Sequence, residues 1–254
     1  MKLISAVVIT LNEEPNIERC LASLGFADEI VVLDSLSTDR TVEIAGRFTD
    51  RISRREFTGY SDQKNAAMEM AANDWVLIVD ADEVVTPELA AEVRKAVESD
   101  EFAAYRMPRL THFLGKPIRH CGWYPDYVTR LMRKSKARFS DRLVHETPTV
   151  DGPIGALLSD LIHYSYRDLD DLMRKMIAYS RAAARQKLRD GERFSLGALF
   201  VAPGLTFLKK YIIKQGYRDG LRGFIICALS QCGVFVRYAM LWEMSIRKER
   251  EHDE

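Results

Sequence analysis

The spacing of apolar residues over the first hundred positions changes at regular intervals, and each change marks an element. Ser5–Thr10 is a β-branched run, and Pro15 then stands at a first helical position. Ile17, Cys20, Leu21 and Leu24 follow at i, i+3, i+4 and i+7, so strand, loop and helix are predicted in that order. Glu29–Leu33 is a second buried strand closing on Asp34, SLSTD supplies a cap, and Val42, Ala45 and Phe48 mark a helix face. A short strand near Arg51–Arg54 precedes Ser61, which is read as the cap of an alanine-rich helix Asp62–Ala72. That helix leads into a strand ending at Asp80, and Thr86 and Pro87 start another helix with Ala90, Val93 and Val97 inward.

Strands that alternate with helices of about ten to fifteen residues predict βαβ units, a mainly parallel sheet and right-handed crossovers. Residues from about 103 to 165 have short strands and turn-rich loops and predict an antiparallel flank. From Asp168 the pattern is helical, with Leu169, Leu172, Met173, Met176 and Ile177 on one stripe. The expected domains are a catalytic α/β region, 1–166, and a helical, membrane-associating or oligomerising region, 167–254. Ligands of open α/β sheets bind beyond the C-terminal ends of the strands. Thr10–Glu13, Asp34 and Asp80–Asp82 all fall there.

The segment Trp75–Glu83, WVLIVDADE, narrows the chemistry most. A buried strand that points residues i and i+2 the same way sends Asp80 and Asp82 to one side. Two such acids suit Mg²⁺ or Mn²⁺ holding a diphosphate. The plainer alternative is a strand end whose acids cap the next helix.

Composition and the chain ends change this picture in four ways. Lys and Arg total 37 and Asp and Glu total 37, so no net field draws the chain to nucleic acid. Cys20, Cys121, Cys227 and Cys232 form no C-x-x-C pair, which predicts reduced, packed thiols and no structural zinc. The N-terminus reads as a first strand and lacks the pattern of a signal peptide. Between Arg193 and Arg250 basic residues outnumber acidic ones about three to one, interleaved with LGALFVAPGLTFL and GFIICALSQCGVFV. Each piece is read as too short to cross a hydrocarbon layer of about 30 Å. They are expected instead to lie on an anionic membrane surface, or to pack on the catalytic region or a second copy as a homo-oligomer.

The pieces VVITLNEEPNIERCL, VVLDSLSTDRT, DQKNAAMEMAANDWVLIVDADE, HCGWYPD, LVHE and His163 in LIHYS occur in an order that resembles the inverting glycosyltransferases of family 2, which have the GT-A fold. Within that family the chain, including KQGYRDGLRGF near its end, resembles the subgroup of lipopolysaccharide-core β-1,4-glucosyltransferases. The resemblance implies a UDP-sugar donor, a lipid-linked saccharide acceptor and a place on the cytoplasmic face of the inner membrane. It implies that Thr10, Leu11 and Glu13 line the base and that Asp34 accepts from the uracil imide. Lys64 and Asn65 then stand beside the base and diphosphate, with Asp80, Ala81 and Arg130 on the same nucleotide sugar. Asp82 and His163 would ligate the metal. Glu146 would be the catalytic base with Asp126 in reserve, and Gly122, Trp123, Tyr124 and His145 would face the acceptor.

Two departures matter. Leu36 stands where the family usually has Gly, and the Q-x-x-R-W signature of processive synthases is missing, which points to addition of one sugar. Two other classes compete. A haloacid-dehalogenase-like phosphatase would use Asp80 as nucleophile and Asp82 as general acid, and Asp170–Asp171 is the adjacent pair it would need. A non-catalytic membrane-surface scaffold would keep the acids only for folding.

Overall fold

The structure is a computed structural model that describes residues 1–140 and 147–253. Two compact units emerge: Met1–Leu110 with Pro125–Tyr164, and Thr111–Tyr124 with Ser165–Glu254.

In the first unit β1 (Ile4–Thr10) is buried at every position, as its unbroken apolar run requires of a strand covered on both faces. There follow α1 (Ile17–Ala22), β2 (Glu29–Asp34), α2 (Thr41–Ala45), β3 (Ile52–Arg54), α3 (Tyr60–Met70), β4 (Trp75–Asp80), β5 (Glu83–Val85) and α4 (Pro87–Ser99). Thr86 caps α4 by accepting from the Leu89 N–H at 3.1 Å. Ser61 does not cap α3. It lies inside the first turn, after Gly59, and its hydroxyl donates to the Ser140 carbonyl at 2.8 Å. The flank comprises β6 (Ala104–Phe113), β7 (Lys116–Pro117), β8 (Asp126–Arg133), β9 (Ala137–Phe139), β10 (Pro148–Val150), β11 (Ile154–Ala156) and β12 (Leu161–His163).

The strand order is β3-β2-β1-β4-β8-β6-β12-β5, with β11 beside β6 and a separate β9–β10 pair. Pairing is parallel from β3 to β4. It turns antiparallel at β4–β8, β6–β8 and β12–β5. Alternation along β1 divides the core. Ile4, Ala6 and Val8 pack with Ile17, Leu21, Leu89 and Val93, while Val7 and Ile9 pack with Ala67 and Met68 of α3. The register matters for function: Thr10 lies opposite Asp34, Ile9 opposite Asp80, and Asp34 opposite Arg54. The ends of four parallel strands therefore form one rim.

The second unit contains the turn of β6 onto β7, then α5 (Leu169–Arg189), α6 (Leu196–Leu208) and α7 (Gly220–Asp253). Both α5 and α6 pack on α7, and the Ser180 hydroxyl of α5 donates to the Gly233 carbonyl at 2.9 Å. Phe113, Ile118, Cys121, Leu172, Ile226 and Cys227 form this unit's core.

The C-terminal helices run longer than the apolar pieces of the sequence alone. Leu196–Ile213 and Gly216–Arg247, of 18 and 32 residues, are long and apolar enough to cross a membrane by length and composition. The sequence breaks the apolar pieces with Lys209, Lys210, Arg222 and Arg237, but helical length is set by backbone continuity at 1.5 Å per residue, which scattered cations do not interrupt.

Candidate active site

The loops after β1 and β2 are stitched together. Asn12 N–H donates to Ser37 Oγ at 2.8 Å, Thr38 N–H to Asn12 Oδ1 at 2.9 Å, and Glu13 N–H to Thr41 Oγ1 at 2.8 Å. The SLSTD segment thus holds the loop after β1 as well as leading into α2. Asp34 is wholly buried. Its Oδ2 accepts from Ser37 N–H at 3.0 Å and Arg54 Nε at 3.1 Å, while Oδ1 and the buried Thr10 Oγ1 have no hydrogen-bond partner among the described residues. Buried acceptors are rarely left unmatched, so this pair offers itself to a donor from a ligand. Leu11 is exposed at the lip, and the Glu13 carboxylate accepts from Asn16 Nδ2 at 2.5 Å.

Leu36 adopts φ 65°. The left-handed turn is kept although Gly is missing, at a cost of roughly 1–2 kcal/mol for an L residue. Its side chain is 48% exposed and has little packing to lose. Replacing Leu36 with Gly is expected to raise stability by a net ~0.5–1 kcal/mol after the entropy Gly adds to the unfolded chain. The urea unfolding midpoint reads this directly.

Around β4 the charges interlock. The strand stops at Asp80 and the chain turns through Ala81 and Asp82, so period-two geometry does not orient the two acids; their partners do. Asp80 pairs with the Arg130 guanidinium, and Lys64 Nζ lies 3.6 Å from its Oδ1. Burial alone would raise the Asp80 carboxyl, but the Arg130 and Lys64 cations hold it well below the usual carboxylate range. Arg130 reaches inward because the β6–β8 register slips at Tyr105/Arg106, leaving it as the extra residue of a bulge. Its guanidinium also donates to Glu83 Oε1 at 2.7 Å. Glu83 is wholly buried, accepts from the Asp80 N–H at 3.0 Å and is 3.3 Å from Arg109, which bonds Asp126 Oδ2 at 3.0 and 2.6 Å.

Asp82 has a different neighbour. Antiparallel pairing of β12 with β5 sets His163 opposite Glu83, and His163 Nε2 comes to 3.3 Å from Asp82 Oδ2. The Tyr164 N–H donates to the Asp82 carbonyl at 2.8 Å, and Arg19 covers the Tyr164 ring at 3.6 Å.

Comparison with known proteins gives the family. The sequence profile described as "Glycosyl transferase family 2" matches residues 5–148. The chain belongs to glycosyl transferase family 2. It is 31% identical over 262 residues to the lipopolysaccharide core biosynthesis glycosyltransferase LpsC of Rhizobium meliloti, covering 97% of this chain and 94% of that one. An uncharacterized glycosyltransferase of Rickettsia typhi is 31% identical over 267 residues, with coverage of 97% and 89%. The mannosyltransferase PcManGT of Pyrobaculum calidifontis, solved with GDP-Man and Mn²⁺, superposes with a TM-score of 0.56 at 13% identity, covering 94% of this chain and 86% of that one. The fold of this family 2 glycosyltransferase is GT-A, with a mixed, mostly parallel sheet, flanking helices and C-terminal helices.

Family membership removes the phosphatase alternative. Asp170 and Asp171 also lie in the first turn of α5, away from any strand end. As for metal, no three His, Cys, Asp or Glu side chains among the described residues converge to hold an ion on their own. A divalent ion carried by a diphosphate needs only one or two protein groups, and Asp82 with His163 supplies a carboxylate and an imidazole. The donor set therefore fits an ion that arrives with the nucleotide.

The other expected residues have the following partners. The Asn65 amide is taken up by the Phe139 backbone, donating at 2.8 Å and accepting at 2.9 Å, so it fastens α3 to β9. Gly122, Trp123 and Tyr124 belong to the second unit, where Trp123 stacks on Tyr166 with centroids 5.4 Å apart and Arg119 covers Tyr124. His145 and Glu146 lie outside the described residues. Sequence reasoning missed Glu83 and Arg109. The third acid of DADE was the available signal for Glu83, while nothing local marks Arg109.

Proposed function

We propose that this glycosyltransferase moves a single hexose, glucose from UDP-glucose, with inversion onto a hydroxyl of a lipid-linked saccharide such as lipopolysaccharide core. The observation that carries the donor reading is the buried, unmatched Asp34 Oδ1 at the rim, which suits the imide N–H of uracil. The acceptor reading is supported by the likeness to LpsC over nearly the whole chain. The protein is read as working on the cytoplasmic face of the inner membrane, its apolar C-terminal helices associating with lipid or with a second copy.

In this reading Thr10 and the stitched loop bind the base, and Asp80, fixed by Arg130 and Lys64, faces the ribose and diphosphate. Mn²⁺ or Mg²⁺ held by Asp82 and His163 would neutralise the leaving diphosphate. Glu146 removes the acceptor proton, a role worth roughly 10²- to 10⁴-fold. Asp126 is the reserve base, and its bond to Arg109 makes it the weaker candidate. Glu146→Gln is accordingly expected to keep UDP binding and lose transfer by that factor, while Asp126→Asn keeps most of it; radiolabelled sugar transfer decides. Retained transfer in the Gln variant moves the base elsewhere.

The direct test is calorimetry with UDP, with and without Mn²⁺, followed by hydrolysis of a panel of UDP-, GDP- and dTDP-sugars. Metal-dependent UDP binding and a preference for UDP-glucose are expected. Absence of any nucleotide binding would favour a non-catalytic membrane-surface scaffold.

A further inference from the structure

We propose that a cavity within the second unit seats the phosphate-bearing end of an anionic lipid. The cavity, about 330 Å³, is lined in part by Trp123, Tyr166, Leu172, Lys210, Ile226 and Arg237, and no carboxylate lines it among the described residues. That volume falls in the range of small-ligand sites. Arg237 Nε is sealed from solvent and has no hydrogen bond among the described residues, and no carboxylate lies beside Lys210 in the lining. Two half-buried cations beside walls that are mostly apolar and aromatic, with hydroxyls from Ser180, Thr206 and Ser230, are costly unless an anion meets them. Leu172, Ile226 and the aromatic rings in turn call for an apolar continuation. An amphiphile with a negative head satisfies both.

The helices that carry the two cations say where such a ligand comes from. Lys210 and Arg237 sit on the two segments long and apolar enough to cross a membrane. The outer face of the first is bare: Phe200, Leu205, Ile212 and Ile213 are 69%, 60%, 55% and 71% exposed. A cation on such a helix that turns to a pocket between helices marks a binding or transport position, and basic pockets between such helices hold phosphate headgroups. A free phosphate would gain nothing from the apolar lining, so the geometry favours a lipid source. The inference does not rest on the donor chemistry, because every residue used belongs to the second unit.

The test is tryptophan fluorescence of the full-length chain in neutral detergent, titrated with phosphatidylglycerol or phosphatidylcholine brominated near the headgroup end of the acyl chain. Phosphatidylglycerol is expected to quench the Trp123 signal at concentrations about tenfold or more below phosphatidylcholine, from two cations each attracting the anionic head. Trp123→Phe should remove that component and leave Trp75 and Trp242. Lys210→Gln with Arg237→Gln should erase the preference, and Arg237→Lys should keep most of it. Equal quenching by both lipids overturns the proposal, as does a preference that survives the double substitution. Full competition by inorganic phosphate, or occlusion by self-association with no lipid preference, also overturns it. The wild-type comparison decides even if the double variant misfolds, and UDP binding, measured separately, is unaffected by either outcome.

Discussion

Asp82→Asn is expected to lower donor turnover by about 10²- to 10³-fold, the usual effect of removing one preorganised electrostatic partner of a transition state. The substitution keeps size and shape, and the amide oxygen still faces His163 Nε2 as Oδ2 does at 3.3 Å. The Asp82 carbonyl, which accepts from Tyr164 N–H, is untouched. Asp82 occupies a turn and its side chain is partly exposed, so the unfolding midpoint should move by no more than about 0.5 kcal/mol. The loss therefore reports charge. UDP affinity should lose its Mn²⁺-dependent increment and keep the metal-independent part supplied by Asp34. Wild-type turnover in the variant would remove Asp82 from the metal site and with it the proposed grip on the diphosphate.

The rim on which that prediction rests was readable because β1, β2 and β4 are unbroken apolar runs, and such runs allow little but buried parallel strands. Their endings at Thr10, Asp34 and Asp80 then fixed the row. Beyond the row, local patterns gave out. Arg130 enters the site through a one-residue slip between β6 and β8, and register depends on partners distant in sequence. Asp82 meets His163 through β12–β5 pairing across some eighty residues, which only the family resemblance suggested. Ser61 looks like a cap by type, but Gly59 supplies the turn before α3 and frees that hydroxyl for Ser140. The apolar pieces LGALFVAPGLTFL and GFIICALSQCGVFV are each shorter than the helices that contain them, and those helices carry Lys210 and Arg237 beside a pocket.

Glu83→Gln is the substitution expected to cost the most stability. Its carboxylate is wholly buried and shared by Arg130 at 2.7 Å and Arg109 at 3.3 Å, while its other oxygen accepts from the Asp80 N–H at 3.0 Å. The glutamine keeps the volume and can still accept hydrogen bonds, so packing hardly changes. What changes is that two guanidinium groups, one of them 5% exposed, lose the anion they share. Removing one member of a buried ion pair costs about 3–5 kcal/mol when the remaining charge is left alone, but Arg130 keeps Asp80 and Arg109 keeps Asp126, so about 2–3 kcal/mol is expected. At roughly 2–4 °C per kcal/mol for a chain of this size, Tm should fall by about 4–12 °C. Glu43→Gln is the control: Glu43 bonds Arg40 through two oxygens, but both side chains are more than half exposed, and water compensates either charge. The same chemical change there should leave Tm where it was. If both variants melt alike, the buried network around Asp80 adds no more stability than an exposed pair.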